Sequence, residues 1–200
     1  MPDVVALQEV VEETLEVFLQ ALAGHFLPVF PADPHREHYF CLLLLRRDWV
    51  LYSSNIVYFP GTRMGRHFIR ILACRGGRVV EVVGTHLESL RKGSQERRRQ
   101  LKSLGRVLER SQAGLAVVTG DLNLRDSEVV PGMLPRDVVD CWEYCGSDPN
   151  TQFTWDAALN WNLGDLPESA RHRFDRVFAR CPPSCAARGV GPCVHPVAFR

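Results

Sequence analysis

Leu115-Ala116-Val117-Val118 is an unbroken apolar run, and Gly120, Asp121, Asn123 and Arg125 follow it within seven residues. An apolar run with no alternation reads as a strand covered on both faces. A chain holding such a strand must stack layers on either side of a sheet. Gly-Asp-x-Asn is also good turn chemistry, because glycine accepts positive φ and Asp and Asn bond their own backbone. The stretch therefore reads either as a plain strand-to-loop exit or as a polar site at the end of a buried strand.

The neighbouring segments supply the layers. Asp3 to Leu7 predicts a short strand, and Val10, Val11, Leu15, Phe18, Leu19 and Leu22 then recur at helical spacing, with Gly24 as the stop. Tyr39 to Phe59 predicts two strands about a turn at Arg46-Arg47-Asp48. Phe68–Ala73 and Val79–Gly84 predict a hairpin through Gly76-Gly77, since paired glycines suit the primed turns. Ser94 is placed to cap a second helix with Leu101, Leu104, Val107 and Leu108 as its buried stripe, ending near Gly114. Arg97-Arg98-Arg99 reads as its solvated face. Phe174–Ala179 predicts a last strand. Hairpins mixed with two long helices predict an α/β sandwich of stacked layers.

Composition narrows the class. With 200 residues, 46% hydrophobic and 24% charged, the chain suits one domain with a sizeable core. A net charge of +1 gives no overall field for a polyanion, so any nucleic-acid site must be local. No apolar run reaches membrane-spanning length, and no charged-then-apolar leader opens the chain, so neither a membrane partner nor secretion is expected. Seven cysteines, an odd number, fit reduced thiols inside a cell. Cys181, Cys185, Cys193 and His195 match no common zinc-finger spacing. Residues 181–200 show no period and read as an irregular tail rich in Cys, Pro and Gly, behind a domain spanning 1–180.

Four strand ends carry polar groups: Gln8-Glu9, then Thr85-His86-Leu87-Glu88-Ser89, then Gly120 to Arg125, then Arg173-Phe174-Asp175-Arg176. Strand ends on one side of an α/β sheet share a crevice where ligands bind. The inventory suits a phosphate ester. Mg²⁺ wants oxygen ligands and needs only one or two carboxylates, and Glu9 can be one, with Asp121 and Asn123 close by. His86 and Arg125 can donate to phosphate oxygens, and Asp121 can deprotonate an attacking water. Each residue also has an ordinary reading. Glu9 favours the start of the following helix, His86 is a hydrogen-bonded core histidine, and Asp175 is a surface ion pair with Arg173 or Arg176.

The ordered motifs LQEV (7–10), GTHLES (84–89), GDLNLRD (120–126), TWD (154–156) and RFDR (173–176) resemble the endonuclease/exonuclease/phosphatase superfamily. That resemblance implies the DNase I-like fold, a four-layer sandwich of two mixed β-sheets flanked by helices. FPGTRMGR (59–66), and TWDAALNWNLG (154–164) followed by HRFDRVF, resemble the branch that hydrolyses 5′-tyrosyl-DNA linkages left by trapped topoisomerase 2. The resemblance implies a DNA-repair phosphodiesterase acting on DNA 5′ ends. It implies Mg²⁺ or Mn²⁺ at Glu9, and catalytic roles for Asp121, Asn123, His86 and Asp175. Arg125, Ser89 and Arg91 match phosphate and DNA contacts. Trp155, Leu163 and Phe174 match an apolar wall for the 5′ nucleotide, and stacking there would tolerate any base. A nuclear location, with a cytoplasmic share, and a monomeric state go with that role.

Two departures stand against the pattern. The superfamily branch begins with an earlier strand ending in Trp-Asn and closes with a Ser-Asp-His segment whose histidine Asp175 would orient. Neither occurs here, so the fold is expected to be incomplete at its first and last strands. They support a second reading: a catalytically impaired chain that binds DNA ends or partner proteins. A third keeps the superfamily but takes an abasic site or an inositol phosphate as substrate, against which the TWD and RFDR segments argue.

Overall fold

The computed structural model describes residues 1–34, 37–160, 167 and 169–180. Leu163 and the tail with Cys181, Cys185, Cys193 and His195 lie outside the described residues. The chain runs β1 (Val4–Val10), α1 (Glu12–Leu22), β2 (Phe26–Val29), β3 (Phe40–Arg46), β4 (Val50–Tyr58), β5 (His67–Arg75) and β6 (Arg78–His86). It continues through α2 (Ser94–Arg110), β7 (Leu115–Asp121), β8 (Val138–Asp140), α3 (Cys141–Tyr144), β9 (Trp155–Asp156), β10 (Arg171–His172) and β11 (Asp175–Arg180).

Two sheets stack face to face. One has the order β1-β3-β2, all antiparallel, and the other β4-β5-β6-β7-β11-β8. The larger sheet is mixed, because β6 and β7 run parallel while its other pairs are antiparallel. β9 and β10 form a separate two-stranded ribbon. Leu42 and Leu44 turn outward from β3 to pack with Leu15, Phe18 and Leu19 of α1. Leu43 and Leu45 turn inward against Ile69, Ile71 and Val82 of the larger sheet. Alternation along one strand therefore feeds two cores. On the far side, Leu101, Leu104 and Leu108 of α2 pack on Val83, Val118 and Phe178. The layers are thus helix, three-stranded sheet, six-stranded sheet, helix.

Several local readings change. β2 contains Pro28, yet it is an outer strand, where a missing N–H is tolerated. β7 alternates buried and half-buried residues, so the expected cover on both faces is complete on only one of them. Ser94 is the first residue of α2, and Gly93 takes the capping position without a side-chain bond. The helix ends at Arg110 rather than near Gly114. Arg97 is fully buried, not solvated. Its guanidinium donates to Glu128 Oε1 at 2.6 Å and to the carbonyls of Glu88 and Leu90 at 2.8 Å.

Candidate active site

The parallel pairing of β6 with β7 sets Thr85 beside Gly120 and His86 beside Asp121, while β11 sets Asp175 opposite Asp121. Three polar strand ends therefore meet by register alone. Gly120 makes this approach possible. Its φ is +138°, and a Cβ there would lie 1.9 Å from the Thr85 carbonyl oxygen. Glu9 comes from the other sheet. It sits in left-handed backbone (φ +54°) where the β1–β3 register shifts between Leu7 and Val10. Such a conformation costs a non-glycine residue about 1–3 kcal/mol.

Asn123 also takes a left-handed φ of +51°, which asparagine tolerates. Its N–H donates to Asp121 Oδ1 at 2.8 Å, and its Nδ2 donates to the Leu87 carbonyl at 3.3 Å. The first bond closes the turn after β7, and the second ties it to the β6 exit. The loop's far end is clamped twice more. Glu128 accepts from Arg97 and from the Arg125 N–H, and Asp126 accepts from Arg176 and Arg173. Arg173 and Arg176 also bond Asp140. Those arginines are buried and turned away from Asp175, so the ion-pair reading of Asp175 fails.

Burial, then the nearby Asp175, raises the Asp121 carboxyl to about 6, and Glu9 adds to the push while the Asn123 N–H and Arg66 oppose it. His86 is pushed down to about 3 by burial and by the Arg66 and His67 charges. It is therefore neutral. Arg66 Nη1 lies 2.7 Å from His86 Nδ1. A guanidinium can only donate, so Nδ1 must accept, and the ring proton sits on Nε2. That Nε2 faces Asp121 Oδ2 at 3.5 Å. Arg66 also donates to Ser89 Oγ at 2.9 Å, its guanidinium lies 5.0 Å from the Tyr39 ring centroid, and its Nε has no partner. The guanidinium is 3% exposed, and its hydrogen bonds go to neutral groups rather than to a carboxylate.

Beside this cluster stands an aromatic patch. Trp155, His172 and Phe174 are mutually adjacent, with ring centroids 4.7–5.9 Å apart. Arg125 lies 5.9 Å over Phe174. Thr154 Oγ1 accepts from the N–H groups of Phe174 and Asp175, locking the patch to the start of β11. Arg91 opens a short 3-10 turn after β6 and is exposed.

The described residues among those singled out in the sequence thus gather at one end of the sandwich. Arg66, Tyr39 and His172 were missed. FPGTRMGR and HRFDRVF carried the signal for two of them, but nothing in a linear pattern says that a loop arginine reaches a strand-end histidine. The donor set fits a hard divalent cation. Its members are oxygen atoms, and the repulsion from Asp175 and Glu9 that adds to burial in raising Asp121 is what a cation would relieve. Among the described residues no group of three His, Cys, Asp or Glu side chains converges to hold a metal unaided. A Mg²⁺ site needs only one or two such ligands and completes itself with water and substrate.

Comparison with known proteins agrees with this architecture. The chain belongs to the endonuclease/exonuclease/phosphatase family, whose model matches residues 1–193. Within it, the chain is similar to tyrosyl-DNA phosphodiesterase 2. It is 38% identical to the Mus musculus protein over 182 residues, covering 90% of this chain and 48% of that protein. The Homo sapiens protein is 36% identical over 182 residues, with 90% and 49% covered. The crystal structure of Danio rerio TDP2 complexed with a single-strand DNA product matches with a TM-score of 0.83 at 33% identity, covering 92% of this chain and 72% of that one. The chain spans about half the length of the mammalian relatives it matches.

Proposed function

We propose that this chain carries a 5′-tyrosyl-DNA phosphodiesterase site of DNA repair, acting on DNA 5′ ends that retain a topoisomerase 2 tyrosine. The observation behind the reading is the convergence of His86, Asp121, Asn123 and Asp175 beside the Trp155–Phe174 patch. In this reading the strand stacks on Trp155 and Phe174, while Arg125, Arg91 and Ser89 receive its phosphates. His86 donates a hydrogen bond from its Nε2–H to a phosphate oxygen, keeps that proton and stays neutral throughout. Asp121 accepts a proton from the attacking water as that oxygen bonds to phosphorus. The phosphorus–oxygen bond to tyrosine breaks, the phenolate leaves with the electron pair, and a 5′-phosphate remains. Asn123 holds the Asp121 carboxylate and the Leu87 carbonyl in place, and Asp175 keeps Asp121 basic. Glu9 is the residue to hold Mg²⁺ or Mn²⁺, which when bound neutralises phosphate charge. A nuclear location with a cytoplasmic share follows from the repair role.

The test is substrate choice. Initial rates are compared for matched oligonucleotides bearing a 5′-phosphotyrosyl end or an internal abasic site, and for an inositol polyphosphate. The reading expects the tyrosyl substrate to lead by at least about a hundredfold in kcat/KM, the size of difference that a misplaced scissile phosphate produces. Equal or better cleavage at the abasic site would overturn it.

A further inference from the structure

We infer that His172 is a nucleic-acid contact whose imidazole gains a proton when a strand is seated on the Trp155–Phe174 patch. The inference rests on the proposed nucleic-acid reading of this cleft and adds to it a residue and a proton.

The geometry comes first. β9 and β10 are two residues each, too short to be stable alone. Their register sets His172 against Trp155 and Arg171 against Asp156, and the second pair is a salt bridge at 3.2 Å. His172 lies nearly parallel to both its neighbours, at 26° to Trp155 and 25° to Phe174, and is half-buried like them. The exposed surface is therefore three rings wide, not two. Its charged surroundings are one-sided. Arg125 stands over Phe174, and burial together with the Arg125 and Arg91 charges lowers the His172 pKa. Arg171 is neutralised by Asp156, and Arg173 is turned into the acidic cluster of Asp140, Asp126 and Glu143. Asp175 and Asp121 begin the catalytic cluster on the adjoining strands.

An imidazole beside two arginines is a poor choice for a free protein and a good one for a protein holding a polyanion. Burial is the larger obstacle to protonation, and a phosphate at Arg91 and Arg125 cancels the two charges that add to it. The imidazolium then adds a third cation to the same backbone. Since binding raises the pKa of His172, affinity must rise as pH falls. A rise of one pKa unit gives a limiting tenfold gain in affinity.

The experiment measures anisotropy of a 3′-labelled single-stranded oligonucleotide with a 5′-hydroxyl, so that no phosphate monoester titrates, in EDTA, from pH 8 to 5.5. Asp121 titrates in the same range, so the parent protein is Asp121→Asn. We expect the parent to tighten by about three- to tenfold towards pH 5.5. His172→Leu should bind with little pH dependence and match the parent at pH 8, because the apolar surface is kept. His172→Arg should bind tightly and equally at all pH values. In NMR titration, the His172 pKa of the parent should rise on adding the oligonucleotide. Identical pH profiles for the parent and His172→Leu, with binding intact, would overturn the inference while leaving the nucleic-acid reading standing. No binding by the folded parent at any pH would overturn both.

Discussion

Replacing Arg97 with methionine tests whether a buried ion pair holds the catalytic loop. Arg97 is 0% exposed and spends its guanidinium on four acceptors: both Glu128 oxygens, at 3.2 and 2.6 Å, and the Glu88 and Leu90 carbonyls at 2.8 Å. Methionine keeps most of the volume and none of the donors. Glu128 would be left buried and charged, with the Arg125 N–H among its remaining partners. Breaking one side of a buried pair costs about 3–5 kcal/mol. With a urea m-value of about 2 kcal/mol/M, the midpoint should fall by about 2 M. The double variant Arg97→Met/Glu128→Leu removes both charges and should recover at least half of that loss. The pH dependence has a definite sign. Burial alone would raise the Glu128 carboxyl, but bonds from Arg97, the Arg125 N–H and Ser94 outweigh it and hold the pKa below its ordinary value. The pair's contribution is therefore present above about pH 4.5 and is lost as the solution is acidified. Equilibrium urea unfolding of wild type, both singles and the double, at pH 7 and pH 4, provides the cycle. Strict additivity, or a wild-type advantage that grows on acidification, would refute the reasoning.

Three further outcomes are expected. Gly120→Ala should give no soluble folded protein, because its Cβ would lie 1.9 Å from the Thr85 carbonyl oxygen; a folded variant by circular dichroism would contradict the close strand approach. Asp121→Asn should stabilise the fold by about 1–2 kcal/mol above pH 6, because the folded-state pKa of about 6 penalises the charged form, and the gain should vanish below about pH 4. Thermal unfolding across pH checks the window, and a gain confined to acid would be the wrong sign. Arg66→Met should release His86 Nδ1, so ¹⁵N shifts should change from a single Nε2–H form to a tautomer mixture, with kcat on a tyrosyl oligonucleotide down about a hundredfold.

Much of the architecture could be read from pattern. The apolar run at 115–118, the Gly76-Gly77 hairpin and the two helical stripes each carry a local signal, and each became an element at about the expected place. The short strands β2 and β8 were missed because four and three residues leave no period to detect. Arg97 misled because charge predicts solvent unless a partner is known, and Glu128 lies 31 residues away in sequence. The site followed the same rule. Asp121, Asn123 and His86 sat in recognisable strand exits. Arg66 and His172 act across the fold, one from the Thr62–Arg66 loop clamped by Glu88, the other through a two-residue strand pairing. Their roles depend on contacts that no local window contains.

The most direct test of the central claim is release of tyrosine from a 5′-tyrosyl oligonucleotide by this chain under single-turnover conditions. Mg²⁺ and EDTA arms run beside an Asp121→Ala control shown to be folded. The account predicts tyrosine and a 5′-phosphate end in the Mg²⁺ arm alone, with loss of release in both other arms. No release by the folded chain with Mg²⁺, or release that survives Asp121→Ala, would contradict it.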